Sequence, residues 1–220
     1  MLGCLHYSLH FPEMVITEGL LEVCDSMDEI KNQRVAEAAI DDLFMKRWSP
    51  RAFADRPVSP EILKSLFEAA RWSPSCFNEQ PWLFLYAVTE KDRQKFLSLL
   101  SEKNQSWART APVLAFIFAK RHFDLNGKPN DWAAFDCGAA WMSLTLQARL
   151  HGLYTHGMAG YNRGSIYREL GVDREKYEAI AAIALGYIGD PSVLNESQRR
   201  SERPNNRKPL SRVAHEGPLQ

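Results

Sequence analysis

Ala69-Ala70-Arg71-Trp72-Ser73-Pro74-Ser75-Cys76-Phe77-Asn78-Glu79-Gln80-Pro81-Trp82-Leu83-Phe84 carries the chain from the end of an amphipathic helix into a buried strand. Two prolines fix φ inside the bend and withhold backbone donors. Ser75, Asn78 and Gln80 fill it with hydroxyl and amide groups. Two tryptophans and two phenylalanines stand beside those amides. Apolar walls with a few fixed donors and acceptors suit a flat ring with a polar edge.

The flanks set the fold class. Upstream, Ser59-Pro60-Glu61 is a helix start: serine as N-cap, proline at the first helical position, an acid in the first turn. Ile62, Leu63, Leu66, Phe67 and Ala70 then form one face. Downstream, Trp82 to Val88 reads as a buried strand. Thr89 caps a helix carrying Phe96, Leu97, Leu99 and Leu100. Pro112 precedes the apolar run Val113–Ala119, typical of a central strand. Residues 120–130 form a polar loop with an Asn126-Gly127 turn, and loops of that length often act as lids.

Asp131 to about Leu150 is strongly helical and leaves no wide polar face, so it is buried in the core or in a subunit interface. Gly152 is a natural residue just past its end. Tyr154 to Asn162 holds Gly157 and Gly160, read as a turn or as bare backbone brought to a surface. A short helix over Ser165–Leu170 ends at Gly171. Ala179 to Ile188 is another buried strand. Nearer the N-terminus, Ser26 and Glu29 read as a capping box for a helix running to about Trp48. Residues 1–26 match no later pattern and are expected to be a poorly ordered arm. Residues 27–220 are expected to form one domain, with a basic tail that either wraps a partner subunit or hangs loose.

Composition narrows the function. The 220 residues are 45% apolar and 11% aromatic, enough for a sizeable core, with zero formal net charge. The whole molecule is therefore no electrostatic magnet for nucleic acid, and any anion site is local. The four cysteines form no C-x-x-C pair, and no cluster has metal-ligand spacing. A cytoplasmic protein is expected, since no run approaches the ~20 apolar residues of a membrane span. The chain lacks both a P-loop and a G-x-G-x-x-G dinucleotide fingerprint. Arg47, Ser49 and Arg51 cluster at a helix end, and Arg207-Lys208 sit in the tail. These are either solvated charges or a phosphate clamp. A phosphate held by arginines, a ring met by amides and backbone N–H groups fit a flavin mononucleotide (FMN) better than a nucleoside triphosphate, which would need magnesium ligands.

Three segments resemble the FMN-dependent nitroreductases, over about residues 35–215. Arg47-Trp48-Ser49-Pro50-Arg51-Ala52-Phe53 is similar to the family's R-x-S-x-R/K-x-F opening. Ala69 to Phe84 is similar to its long A-R-x-x-P-S-x-x-N-x-Q-P-W-x-F segment, and Arg207-Lys208-Pro209-Leu210 to its C-terminal R-K-P-L. The resemblance implies an α+β fold, a central mixed sheet flanked by helices, in an intertwined homodimer with active sites at the interface. It implies that Arg47 and Ser49 bind the FMN phosphate, with Arg207 and Lys208 closing over it, and that Arg51 lies near the pyrimidine end of the flavin. Pro74, Ser75, Cys76 and Asn78 would come from the other subunit. Ala159 and Gly160 match the segment whose backbone N–H faces flavin N5. Three departures stand out: cysteine where serine is common at position 76, glycine where proline is common at position 157, and alanine where glutamate or glycine is usual at position 159, which keeps the backbone donor and removes any side-chain role.

The activity so implied is an NAD(P)H oxidoreductase. Hydride passes from NADH or NADPH through flavin N5 to a nitroaromatic or quinone-type acceptor, in ping-pong order. The alternatives are a non-catalytic FMN-binding or sequestering protein and a flavin-free dimeric scaffold.

Overall fold

The computed structural model describes residues 32–219. The Ser26–Glu29 capping box and the arm over residues 1–26 lie outside the described residues.

Helix starts follow their caps. In α1 (Asp42–Lys46) the Asp41 carboxylate accepts from the Leu43 N–H. In α2 (Pro60–Arg71) Ser59 accepts from Ile62 N–H, as its Ser-Pro-Glu start dictates. Strand β1 (Trp82–Ala87) follows. The segment after Thr89 was expected as one helix and is two, α3 (Glu90–Ser98) and α4 (Glu102–Ala108). The break exists because Leu100 forms an isolated bridge with Tyr161, and Ser101 N–H donates to Gly160 O at 2.9 Å. Then come β2 (Val113–Lys120), α5 (Ala133–Leu150), β3 (Leu153–Met158), α6 (Ile166–Leu170), β4 (Tyr177–Tyr187) and α7 (Glu196–Arg200). Gly171 ends α6 in the left-handed conformation.

The four strands form one sheet in the order β1-β2-β4-β3. The expected central sheet with flanking helices is present. All three pairings are antiparallel, so the mixed character expected of it does not arise within one described chain. Both faces of β2 are covered, which explains its unbroken apolar run. Val113, Ala115, Ile117 and Ala119 face the α2/α5 layer. On the other face Phe116 packs against Phe96 and Tyr161, and Phe118 against Tyr167. Each of these buried phenylalanines contributes about 1.5–3 kcal/mol. Small residues at 115, 119, 133 and 140 let α5 lie close on the sheet.

Register slips by one residue between Ile117 and Phe118 opposite β4. The loosened Ala179 is satisfied from both sides: Tyr161 O–H donates to its carbonyl at 2.7 Å, and its N–H donates to Tyr167 Oη at 3.0 Å.

Two further expectations are corrected. The helix foreseen from Ser26 to Trp48 is absent over residues 32–40, and among the described residues of that stretch only Asp42–Lys46 is helical. Its apolar positions were too sparse to make a buried stripe: Val35, Ile40 and Phe44 are all exposed. Leu153–Met158, read as part of a glycine turn, is an edge strand. Gly157 belongs to it because the Trp141 ring lies on its backbone, 2.8 Å from where a Cβ would stand.

Candidate functional site

Two groups of expected site residues are built by different parts of the fold. The first surrounds residues 47–52. Arg47 caps α1 and is half-buried; Trp48 behind it is buried and meets Tyr154 edge to face. Pro50 is buried, and its carbonyl accepts from His156 Nδ1 at 2.8 Å. The carbonyl can only accept, so Nδ1 carries the proton. The imidazole packs on Trp107, ring centroids 4.5 Å apart. Burial first, then the charge of Arg51, pushes its pKa down to about 4, against the lifting effect of its hydrogen bonds to the Pro50 and Ser49 backbone. A neutral histidine from β3 therefore props the loop carrying Ser49 and Arg51.

The C-terminal segment closes over the same loop. Glu202, buried just past α7, accepts from Arg51 N–H at 2.6 Å and Ala52 N–H at 2.9 Å through one carboxylate oxygen. Its other oxygen lies 3.7 Å from the Arg51 guanidinium, whose Nη1 also donates to Ser201 Oγ at 3.4 Å. Farther on, Leu210 N–H donates to both oxygens of Glu37, at 3.1 and 3.2 Å. The tail thus touches the rest of the chain at Ser201, Glu202 and Leu210.

Docking brings Arg207 to Arg47. Burial and then the charge of Arg207 lower the pKa of Arg47. Arg34 joins them: burial, then Arg207, then Arg47 lower its pKa. Among the described residues, no carboxylate forms an ion pair with these three guanidiniums, and no acid is among the charges that shift Arg34 and Arg47. Clustered like charges favour an anion between them. Arg207 Nη1 is spent on its own backbone, at Asn205 O and Asn206 O. Lys208 is exposed. Arg34 and Glu202 were missed from the sequence. Neither sits in a motif, and each acts across a long stretch of chain.

The second group is the bend 74–80. Cys76 and Asn78 bound a single 3-10 turn. Phe77, Asn78 and Gln80 all take positive φ, at 52°, 57° and 53°. For side chains other than glycine this stores about 1–3 kcal/mol each, least for asparagine. Hydrogen bonds hold the strain: Gln80 N–H to Ser75 Oγ at 2.9 Å, Asn78 N–H to Ser75 O at 3.0 Å, and Cys76 N–H to the buried Asp136 carboxylate at 3.1 Å. The strained turn leaves Asn78 exposed and thrusts Phe77 outward, where it meets Phe123 edge to face. The loop over residues 120–130 docks on this bend, since Asp124 N–H donates to Glu79 Oε1 at 2.9 Å. Trp132 and Phe135, at the entry to α5, are exposed nearby in sequence.

Ala159 and Gly160 follow β3. Gly160 O is fixed by Ser101 N–H and by Asn104 Nδ2 at 3.0 Å. No hydrogen bond, ion pair or ring contact joins the bend 74–80 to residues 47–52 or 201–208 among the described residues of one chain. Of the cysteines, Cys137 is buried, and burial pushes its thiol up to about 12, so it is inert. No group of three or more His, Cys, Asp or Glu able to hold a metal ion occurs among the described residues. No described helix is long and apolar enough to cross a membrane.

The model of the Nitroreductase family matches residues 44–187. A solved structure described as an oxidoreductase containing FMN superposes with a TM-score of 0.82 at 40% identity, over 86% of this chain and 97% of the other. A Xanthomonas oryzae protein described as a candidate NADH dehydrogenase/NAD(P)H nitroreductase is 31% identical over 147 residues, 59% of this chain and 75% of that one. A Streptomyces coelicolor protein of the same description is 26% identical over 176 residues, 71% of this chain and 87% of that one.

Proposed function

The chain belongs to the nitroreductase family, and from that premise we propose that it is an FMN-dependent oxidoreductase. It takes reducing equivalents from NADH or NADPH and passes them to a nitroaromatic or quinone-type acceptor. The observation that carries this reading is the arginine cluster of Arg47, Arg207 and Arg34, without a carboxylate among the described residues. Such a donor set fits the phosphate of FMN.

Bound there, FMN supplies the hydride chemistry, at one site used first by the nicotinamide and then by the acceptor, which implies ping-pong kinetics. The residues do the rest. Arg47 and Arg207, with Lys208 next to Arg207 in the tail, would neutralise the phosphate, and the Ser49 hydroxyl would add a donor. Arg51, steadied by Glu202 and Ser201, places a cation beside the ring and favours an anionic reduced form. Ala159 and Gly160 offer backbone N–H groups on a segment tied to the start of α4.

Pro74, Ser75, Cys76 and Asn78 wall the ring from the partner subunit of a homodimer. Support for that address is that, among the described residues of one chain, no polar or ring contact joins them to the arginine cluster. In this arrangement a monomer binds FMN poorly.

The double variant Arg47→Ala/Arg207→Ala tests the clamp. It is expected to stay a folded dimer and to lose FMN on gel filtration. Full retention of flavin contradicts the assignment.

A further inference from the structure

We propose that Arg34 is a positioning residue of the phosphate site: it bolts the C-terminal tail to the end of α1, so that Arg207 and Arg47 face the same anion. The inference rests on the FMN reading above.

One planar guanidinium makes all the connections. Arg34 Nη1 donates to Met45 O at 3.1 Å and to Arg47 O at 2.7 Å. Its Nε donates to Asn205 O at 2.9 Å, across a separation of 171 residues. The accepting carbonyls flank the two arginines of the clamp: Arg47 itself, and Asn205 two positions before Arg207. Removing the guanidinium takes a tie from both segments at once, while the Glu202 and Glu37 contacts of the tail remain.

Lysine cannot replace it. A single ammonium on a flexible stem carries the charge but lacks the rigid fork that spans three carbonyls in fixed directions.

The location also explains why a third cation is tolerated beside two others. Burial and the charges of Arg207 and Arg47 all disfavour a charged Arg34. That repulsion opposes docking of the tail when the site is empty and is relieved by an anion between the segments. Anion binding and tail docking are therefore coupled through Arg34, each favouring the other.

The test compares FMN with riboflavin, which has the same ring and no phosphate. Dissociation constants are measured by flavin fluorescence for the wild type, Arg34→Gln and Arg34→Lys. Limited proteolysis of residues 203–210 in the flavin-free protein is followed alongside. A wild type that does not prefer FMN to riboflavin overturns the FMN reading itself, before any variant is compared.

Given that preference, Arg34→Gln is expected to weaken FMN by about 10- to 100-fold and riboflavin by less than about twofold. Arg34→Lys is expected to recover only part of the loss, and tail cleavage to quicken in both variants. Three results would overturn the proposal: full rescue by lysine, equal weakening of both flavins, or unchanged cleavage of the tail.

Discussion

Replacing His156 with glutamine isolates the prop beneath the Ser49–Arg51 loop. Glutamine can still donate an N–H to Pro50 O, so the perturbation removes the titrating ring and leaves a donor. The folded imidazole has its pKa pushed down to about 4 from an ordinary 6.5. Between those values the unfolded chain binds a proton that the folded chain refuses. Stability from this group is therefore complete above about pH 6.5 and is lost as the pH falls toward 4. One such group changes stability by at most about 1.4 kcal/mol per pH unit, a ceiling of about 3 kcal/mol over the window. The residue keeps some solvent exposure, so about 1–2 kcal/mol is expected after screening. Urea denaturation of wild type and His156→Gln from about pH 7.5 to about pH 4.5 measures it. Carboxylates titrate in both proteins and cancel in the difference. The wild-type advantage should shrink by that amount on acidification. Parallel profiles would refute the claim that a part-buried neutral histidine holds the loop.

Other outcomes follow from the same contacts. Glu202→Ala leaves two backbone N–H groups, those of Arg51 and Ala52, without their acceptor. It should destabilise the protein by about 2–4 kcal/mol, and Glu202→Gln by less, read from denaturation midpoints. Gly157→Ala drives a Cβ to within 2.8–2.9 Å of the Trp141 ring. A loss of about 1–3 kcal/mol is expected, together with a shift in tryptophan fluorescence.

How much of this was legible depended on whether the signal was local. Ser59-Pro60-Glu61 fixes the start of α2 within four residues, and the run Val113–Ala119 announces a strand covered on both faces. The long motif around Asn78 pointed to the flavin family without structural help. Its strain was invisible, because the left-handed residues are Phe77, Asn78 and Gln80 rather than glycine, held by a carboxylate 60 residues away. Gly157 misled in the opposite direction: it looks like a turn residue, yet its hydrogen seats an indole in a strand. Arg34 and Glu202 look like ordinary surface charges, and only the docked tail shows what they hold. Over residues 32–40 the expected helix failed because Val35 and Ile40 stay exposed and give it no buried face.

The central claim, a flavin reductase rather than a flavin carrier, is most directly tested by mixing the FMN-loaded protein anaerobically with NADH and, separately, NADPH. The account predicts that the visible flavin band bleaches rapidly with at least one of them. It predicts that the band returns when a quinone or nitroaromatic is added after the nicotinamide has been removed. A band that persists with both reductants would contradict it.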